Sequence, residues 1–337
     1  MAKRKRTKKS PYKTQGTFGK TKRFDVDLVI PVYGKLDLLK KCVESIRVTC
    51  ENVNYKLIIV DDCSPKSEKK ELMQYYRELE EDNRVKVIRL TQNSGYPHAA
   101  NVGVEAGNSG YAILVNSDVE LKENCIQEMV ATLAHKYEIP HSPIDLKPHS
   151  PIGIVGAKLI FPDDSPNKIW DGETPAGGRI QHAGMHVDIG QTPQHTYLGW
   201  SADHPSVNVL RRIQMATGAL LGFNRDVWNE IKKMYHEHGD PSKGALNEMY
   251  GKGTFEDAEF CLLARNIGYS VVYCPMAVAT HAVGQSVQLS IQEEDGGYDI
   301  RRNHTIFMAR CSALLIWDSP IATDLPDETI REFIQGE

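Results

Sequence analysis

Apolar strand segments alternate with helical patterns through the first third of the chain. The segment 26-VDLVIPVYG-34 is rich in β-branched residues and closes on Pro and Gly, which predicts a buried strand that ends in a loop. Apolar residues between Leu36 and Ile46 then recur at helical spacing. The alternation continues through the strand segments 56-KLIIVDDCS-64 and 85-VKVIRL-90. This pattern predicts an α/β fold, with a Rossmann-like, mainly parallel sheet that is covered by helices on both faces.

Acidic residues stand where these strands end. Asp61 and Asp62 close the second strand, and Asp118 closes the fourth, within 111-YAILVNSDVEL-121. Ligands of such sheets bind outside the carboxyl ends of the strands. We therefore expect the three acids to share one crevice.

The regular alternation stops near residue 135. Residues 135–151 are rich in Pro and His and predict a loop, and residues 162–207 predict a long insertion with a strand pair around 179–190. The remaining predicted elements are a strand at 152–161, a strand into a helix at 213–228, a helix into a strand at 255–275 and a helix at 299–315.

The charge of the chain is unevenly distributed. Residues 1–23 hold ten Lys and Arg and no acid; since the whole chain has a net charge of -4, the remainder carries -14. A basic, disordered arm on an acidic body suggests a tether to a polyanion, either nucleic acid or an anionic membrane surface. A solvated tail without a partner explains the composition equally well.

Other bulk features indicate a cytoplasmic protein. We expect no transmembrane segment, because no window approaches eighteen uncharged apolar residues, and no signal peptide, because residues 1–23 lack an apolar core. The seven cysteines include no CxxC pair, which favours reduced thiols. Attachment at the inner membrane face or on nucleic acid would then be peripheral.

The residues at the end of the fourth strand suit a metal-bound diphosphate. Hard oxygen ligands such as the Asp118 carboxylate bind Mg²⁺ and Mn²⁺, which take further ligands from phosphates and water. Asn116 would lie beside it on the nucleoside side. Alternatively, Asp118 caps a helix that begins near Lys122. The residues of this motif alone leave both interpretations open.

Seven segments in fixed order carry a family resemblance. They resemble the family 2 inverting glycosyltransferases of the GT-A fold, with rhamnosyltransferase-like features, from about Asp25 to His281. The segments are 30-IPVYG-34, 60-VDDCS-64, 93-NSGYPHAANVG-103, 114-LVNSDVEL-121, 216-ATGALLGFNRDVW-228, 256-EDAEF-260 and 278-VATHAVGQS-286.

The resemblance implies a binding site for a nucleotide-sugar donor, with UDP or dTDP as the nucleotide. Pro31 and Tyr33 would begin the loop over the base, and Asp62 would hydrogen-bond the base with Asp61 close by. The donor would also lie along a second group of residues. These are Asn93, Gly95, Asn101, Asn116 and Gly218, the last of which lets the backbone pass close to the sugar or forms a turn or bulge.

The resemblance also implies a metal site and a general base. Asp118 would be the principal carboxylate ligand of Mn²⁺ or Mg²⁺, and His281 would be a second ligand. The matched motifs place no Lys or Arg beside Asp118, so a cation is needed to balance the leaving diphosphate. Asp257 would remove the proton of an acceptor hydroxyl, and Glu256 would orient a substrate.

Simpler interpretations of several of these residues remain. Glu256, Asp257 and Glu259 also fit solvated acids in the first turn of a helix. His182, His186 and Trp200 could line the acceptor side, although such residues more often pack in the interior. The segment 301-RRNH-304 resembles rhamnosyltransferase-like members as well.

The chain divides into four predicted regions. They are a basic arm (1–23), a nucleotide-sugar-binding half (24–134), a metal- and acceptor-binding half of the same GT-A domain (135–285) and a C-terminal helical extension (286–337).

Two other functions compete with that of a sugar transferase. A nucleotidyltransferase is disfavoured because PVYGKLD lacks a Gly-rich basic phosphate loop. A catalytically inert core that binds nucleic acid or a surface is disfavoured because the residues expected for catalysis and binding are all present. These are Asp62, Asp118, Asp257 and His281. The acceptor stays open among a growing polysaccharide on a lipid carrier, a protein side chain and a modified base in DNA.

Overall fold

A mixed ten-stranded sheet with helices on both faces forms the centre of the molecule, which confirms the predicted α/β class. The computed structural model describes residues 25–139, 150–169, 172–173, 175–187, 192–282 and 299–316. The predicted basic arm lies outside the described residues, as do part of the loop predicted at 135–151 and most of the predicted C-terminal extension.

The strands and helices are numbered in chain order. The strands are β1 (Asp25–Val32), β2 (Asn54–Asp61), β3 (Val85–Arg89), β4 (Tyr111–Val115), β5 (Val119–Leu121), β6 (Ile152–Ile160), β7 (Ile180–His182), β8 (Met185–Val187), β9 (Pro193–His195), β10 (Arg211–Ile213), β11 (Leu220–Asn224) and β12 (Ser270–His281). The α-helices are α1 (Leu36–Thr49), α2 (Lys69–Leu79), α3 (Tyr96–Glu105), α4 (Cys125–Leu133), α5 (Arg225–Glu237), α6 (Glu256–Asn266) and α7 (Ile300–Cys311). Short 3₁₀ helices span Pro205–Asn208, Glu248–Tyr250 and Ser312–Leu314.

The main sheet joins both predicted halves of the domain. Its strand order is β10-β12-β6-β11-β4-β1-β2-β3, with β5 paired to β12 and β7 paired to β6. Strands β4, β1, β2 and β3 are mutually parallel, and antiparallel β11 connects them to β6 and β12. Strands β8 and β9 form a separate antiparallel hairpin. The boundary at residues 134 and 135 stays a prediction.

The centre of the sheet is buried on both faces. In β1, Leu28 and Ile30 pack into the layer that contains α1, α2 and α4, whereas Val29 packs into the layer that contains α3, α5 and α6. All three side chains are fully buried. This two-sided burial explains why β1 reads as a continuous apolar run rather than an alternating one.

The segment predicted as one strand at 111–121 is divided in the structure. Strand β4 ends at Val115, and β5 begins at Val119 and pairs with β12 on the other side of the sheet. The polar residues between them break the ladder. The next helix, α4, begins at Cys125 after Asn124, so Asp118 does not cap it.

The strand predicted from residue 213 is also shorter than expected. Residues 211–213 form β10 at the edge of the sheet, and β11 begins only at Leu220. The residues between them, which include Gly218, leave the sheet and cross towards α6. None of the helices in the described part of the chain is long and apolar enough to cross a membrane.

A buried ion pair lies near the amino end of β1, opposite the carboxyl ends of the parallel strands. Asp27 is fully buried, and its Oδ2 lies 2.6 Å from a guanidinium nitrogen of Arg225 at the start of α5. The same carboxylate accepts hydrogen bonds from the backbone N–H and the hydroxyl of Ser109. Arg225 also donates to the carbonyl oxygens of Val104 and Ser109. The pair therefore joins β1, the turn after α3, and α5.

We expect Arg225→Met to lower the free energy of unfolding by about 3–5 kcal/mol, because it leaves the Asp27 carboxylate buried without its counter-ion. Urea denaturation monitored by circular dichroism measures this change. Lys233→Met is the matched control, since Lys233 forms an exposed pair with Glu237 and should change stability by less than about 1 kcal/mol. Equal effects of the two substitutions would contradict the importance of the buried pair.

Candidate active site

The carboxyl ends of β4, β1 and β2 lie side by side at one edge of the sheet. Pro31 is buried near the carboxyl end of β1, where it pairs with Val60, and Tyr33 follows the strand directly. The backbone N–H of Gly34 donates to the hydroxyl of Ser64, which ties this loop to the end of β2.

The Asp61 carboxylate contacts the loop that follows β2 and the neighbouring strand β3. One carboxylate oxygen accepts a hydrogen bond from the Ser64 N–H at 2.8 Å, and the other lies 3.3 Å from the Nε atom of Arg89 on β3. The side chain is almost completely buried. Asp61 thus shapes the loop beside the predicted base site.

Asp62 connects the end of β2 to the loop before α3. Its two carboxylate oxygens accept hydrogen bonds from the backbone N–H groups of Ser94, at 2.8 Å, and Gly95, at 2.7 Å. Burial raises the pKa of Asp62 to about 6, although these hydrogen bonds act against the rise. A contact between Asp62 and a nucleotide base stays a prediction.

The loop at Asn93–Gly95 packs against a second loop that precedes α6. Gly95 has φ +93°, and a Cβ atom there would lie 2.0 Å from the carbonyl oxygen of Gly251, so no other residue fits. The Nζ atom of Lys252 donates to the Asn93 carbonyl at 3.2 Å. Lys252 thus places a cation at the predicted donor site, which the motifs of the sequence did not reveal.

Asn101 holds the same second loop from α3. Its side-chain amide donates to the Leu246 carbonyl and to Glu248, and it accepts from the Leu246 N–H. The side chain is fully buried. Asn101 therefore supports the loop, and its predicted contact with a donor stays a prediction.

Asp118 and His281 meet across the pairing of β5 with β12. Val119 pairs with His281 in this ladder, and the Ala282 N–H donates to the Asp118 carbonyl. The Nε2 atom of His281 lies 3.1 Å from Oδ1 of Asp118. The structure thus brings together the two residues that the sequence predicts as metal ligands.

Gln181 on β7 fixes the orientation of the His281 ring. Its side-chain NH₂ donates to the His281 carbonyl, so its oxygen faces Nδ1 of the ring at 2.7 Å and accepts the proton that Nδ1 carries. In the neutral ring, the lone pair of Nε2 then points at the Asp118 carboxylate. Two facing acceptors require a shared proton or a cation between them.

Asn116 places a third oxygen or nitrogen ligand candidate beside this pair. Its Oδ1 is buried and has no hydrogen-bond partner in the structure, while its Nδ2 lies 3.5 Å from Nε2 of His281. A carboxylate oxygen, an amide oxygen and an imidazole nitrogen suit Mn²⁺ or Mg²⁺ with further ligands from phosphate and water. Within the described ranges, no group of three or more His, Cys, Asp or Glu residues could hold a metal ion.

Two acids begin α6, and a glycine of the preceding segment contacts one of them. Oδ2 of Asp257 accepts from the Gly218 N–H at 2.7 Å, and Oδ1 accepts from the Ala258 N–H at 2.8 Å. A Cβ atom at Gly218 would lie 3.3 Å from the Cβ of Asp257, so this position favours glycine. The hydroxyl of Tyr96 donates to the Gly218 carbonyl at 2.8 Å.

Glu256 is buried beside Asp257, and none of the described residues provides it with a counter-ion. Its Oε2 atom has no hydrogen-bond partner in the structure. Burial, followed by repulsion from Asp257, raises the pKa of Glu256 well above its ordinary value. Burial also raises the pKa of Asp257, against its backbone hydrogen bonds.

Glu259, the third acid of this helix, has a structural role. It is 1% exposed and accepts hydrogen bonds from Tyr235, Tyr250 and Arg310, which lies on α7. Glu256 and Glu259 are both buried in the first turn of α6, so the interpretation of these acids as solvated is wrong.

The backbone before Glu256 is strained and is held by α7. Thr254 and Phe255 have φ +82° and +73°, which costs energy for residues with a Cβ. Asn303 is buried and donates from its amide to the carbonyls of Tyr250, at 2.8 Å, and Gly253, at 2.6 Å. Sequence reasoning noted the RRNH segment but assigned Asn303 no role, because this contact joins distant parts of the chain.

The two histidines and the tryptophan predicted near the acceptor lie in and beside the β7–β9 region. His182 is fully buried and contacts His195, and His186 contacts the Thr196 hydroxyl at 3.1 Å. Trp200 packs on Tyr197 and His204. Their role towards an acceptor stays a prediction.

Comparison with known proteins shows which sequences and structures this chain resembles. Residues 27–153 match the model of the family described as Glycosyl transferase family 2. Residues 27–153 belong to glycosyl transferase family 2. The match covers the predicted donor half and ends within β6, so the acids of α6 lie beyond it.

Two curated proteins are also similar in sequence to this chain. The chain is 28% identical over 262 residues to the uncharacterized protein y4gI of Sinorhizobium fredii, which covers 76% of this chain and 24% of that protein. It is 37% identical over 95 residues to a poly(ribitol-phosphate) beta-glucosyltransferase of Bacillus spizizenii, which covers 28% of this chain and 14% of that enzyme. The chain thus spans about a quarter or less of the length of these two relatives.

A solved structure shows the same fold. The crystal structure of GalNAc-T7 with UDP, GalNAc and Mn²⁺ superposes with a TM-score of 0.55 at 16% identity, covering 77% of this chain and 43% of that one. The chain therefore has the GT-A fold that its motifs predict.

We expect Glu256→Gln to stabilise the protein more at pH 8 than at pH 5. Because the pKa of Glu256 is higher in the folded state than its ordinary value of 4.5, the folded protein retains a proton that the unfolded chain releases. The neutral form of Glu256 is compatible with burial, but its contribution to the free energy of unfolding is lost as the pH rises through the folded-state pKa. Glutamine stays neutral at both pH values. Urea denaturation at both pH values measures the difference. Exposed Glu237→Gln is the control, and an equal pH dependence in both variants would contradict the prediction.

Proposed function

We propose that this protein is a metal-dependent, inverting glycosyltransferase that moves a sugar from a nucleoside-diphosphate donor to an acceptor hydroxyl. The observation that carries the proposal is the pairing of Asp118 with His281 at 3.1 Å, beside the unpartnered Oδ1 of Asn116. This pair follows the strand ends where ligands of α/β sheets bind.

Asp118, His281 and Asn116 would hold the cation. When bound, Mn²⁺ or Mg²⁺ supplies positive charge that neutralises the diphosphate as it leaves. Gln181 keeps the Nε2 lone pair of His281 directed towards Asp118, which preserves the ligand geometry.

The donor would lie between the loops that follow β1 and β2 and the Asn93–Gly95 loop. Asp62 holds that loop by two hydrogen bonds, and Lys252 donates to its Asn93 carbonyl. A uridine or thymidine nucleotide fits the family resemblance, and UDP with Mn²⁺ is bound in the GalNAc-T7 structure. These observations support a UDP- or dTDP-linked sugar.

Asp257 would act as the general base. The acceptor oxygen attacks the anomeric carbon from the face opposite the diphosphate, and the bond between that carbon and the phosphate oxygen breaks. The hydroxyl proton passes to the Asp257 carboxylate, and the configuration inverts. Burial raises the pKa of Asp257, which makes its carboxylate a stronger base than an exposed aspartate. Glu256 beside it would orient a substrate.

The acceptor would be a hydroxyl of a polysaccharide or glycoconjugate. The Bacillus spizizenii relative is a poly(ribitol-phosphate) beta-glucosyltransferase, and this similarity supports an extended, sugar-alcohol-containing acceptor. The ten basic residues of the arm favour a polyanion, and glycosylation of a modified base in DNA is the second candidate for that reason.

We expect Asp118→Ala to abolish the increase in UDP or TDP affinity that Mn²⁺ causes in the native protein, because it removes the only carboxylate of the proposed metal site. Isothermal titration calorimetry with and without Mn²⁺ measures the effect. Asp226→Ala, at an exposed position in the first turn of α5, is the matched control. Unchanged Mn²⁺ dependence in Asp118→Ala would remove Asp118 from the site.

We expect Asp257→Asn to bind UDP or TDP with Mn²⁺ normally but to transfer sugar about 10²–10⁴-fold more slowly, since the base is lost. Single-turnover transfer of radiolabelled sugar, with glycan and modified DNA offered in parallel, measures the rate. Asp226→Asn is the control. Near-normal transfer would exclude Asp257 as the base, and labelling of DNA alone in the native protein would select the second acceptor.

A further inference from the structure

Two histidines from different strands form a direct contact beside the segment that holds Asp257. The Nδ1 atoms of His182, on β7, and His195, on β9, lie 2.8 Å apart. The other ring nitrogen of His182, Nε2, accepts a hydrogen bond from the Thr217 N–H at 3.4 Å. Thr217 precedes Gly218, whose N–H binds Asp257. The pair is thus connected to the proposed base through two adjacent peptide groups.

This arrangement fixes the position of each proton. Because Nε2 of His182 accepts from a backbone N–H, it carries no proton, and the proton of the neutral ring must be on Nδ1. That Nδ1–H donates to Nδ1 of His195, which must therefore be an acceptor. The proton of His195 is then on Nε2. A second proton on His182 would face a backbone N–H, so this ring stays neutral.

The Nε2–H of His195 has no hydrogen-bond partner among the described residues. Nε2 makes no hydrogen bond to any described residue, although the ring is partly buried. Burial, followed by the proximity of His281 and His186, lowers the pKa of His195 to about 4. His195 therefore stands as a neutral donor that is connected through His182 to the segment that binds Asp257.

We propose that His195 donates a hydrogen bond from Nε2 to a hydroxyl oxygen of the sugar substrate, and that His182 is the positioning residue that fixes this donor. This inference rests on the proposed function. A neutral N–H suits an uncharged hydroxyl, because binding a phosphate favours a cation such as Lys or Arg. The hydroxyl belongs either to the donor sugar or to the acceptor.

The protonation pattern can be measured without any substrate. Long-range ¹H–¹⁵N correlation spectra of the ¹⁵N-histidine-labelled protein at pH 7 report which ring nitrogen carries the proton. Assignment uses the spectra of the His182→Phe and His195→Phe variants. We expect two neutral rings, with the proton on Nδ1 of His182 and on Nε2 of His195. The reverse pattern, or a charged His195, would overturn the proposal.

The contact with substrate is tested with three variants. We expect His195→Phe to retain Mn²⁺-dependent UDP or TDP binding by calorimetry but to lose roughly three- to tenfold in kcat/KM, the effect of one neutral hydrogen bond. His195→Gln keeps an N–H near the position of Nε2 and should restore most of the loss. His238→Phe, at an exposed position on the C-terminal side of α5, is the matched control and should behave as the native protein.

Two assays identify the source of the hydroxyl. A higher KM for hydrolysis of the nucleotide sugar in the absence of acceptor would assign the hydroxyl to the donor. Normal hydrolysis with slower transfer would assign it to the acceptor. Normal hydrolysis and normal transfer in His195→Phe would overturn the proposal, whereas absence of nucleotide binding and hydrolysis in the native protein would instead refute the proposed function.

Discussion

The pairing of three-residue β5 with the far end of β12 is the contact on which the site depends. It brings a carboxylate from the first part of the chain to an imidazole from near the end of the sheet. Strand β12 reaches this position because it is twelve residues long and pairs in turn with β10, β6 and β5. Because the strand is interrupted at Asn116–Asp118, β5 pairs with β12 and not with the neighbours of β4. This interruption places Asp118 beside His281.

Buried charges in this molecule are of two kinds. Asp27 and Glu259 lie in the interior with arginine partners and several hydrogen-bond donors, which offsets the cost of removing them from water. Glu256 and Asp257 are neighbours with no cationic partner in the described part of the chain; burial raises the pKa of both, and repulsion from Asp257 adds to the rise at Glu256. Uncompensated acids of this sort are characteristic of functional sites, where a perturbed pKa serves the chemistry.

The sequence predicted the order of the main elements because strand and helix periodicities are local properties. It also predicted which acids end the strands, and the resemblance named the two residues that meet as Asp118 and His281. It did not predict the division of β4 from β5 or the short β10, since both depend on partners distant in sequence. Gln181, Lys252, Asn303 and His195 were not identified for the same reason: each acts through contacts that only the folded chain creates.

The amide of Asn303 holds the strained backbone that precedes the two acids of α6, and it comes from a helix that follows the sheet in sequence. A chain emerging from the ribosome completes its N-terminal strands first. Every strand of the sheet has therefore been synthesised before Asn303 appears. Until then the carbonyls of Tyr250 and Gly253 lack this hydrogen-bond donor, so we expect the loop before the acidic pair to become ordered only after the strands have been synthesised.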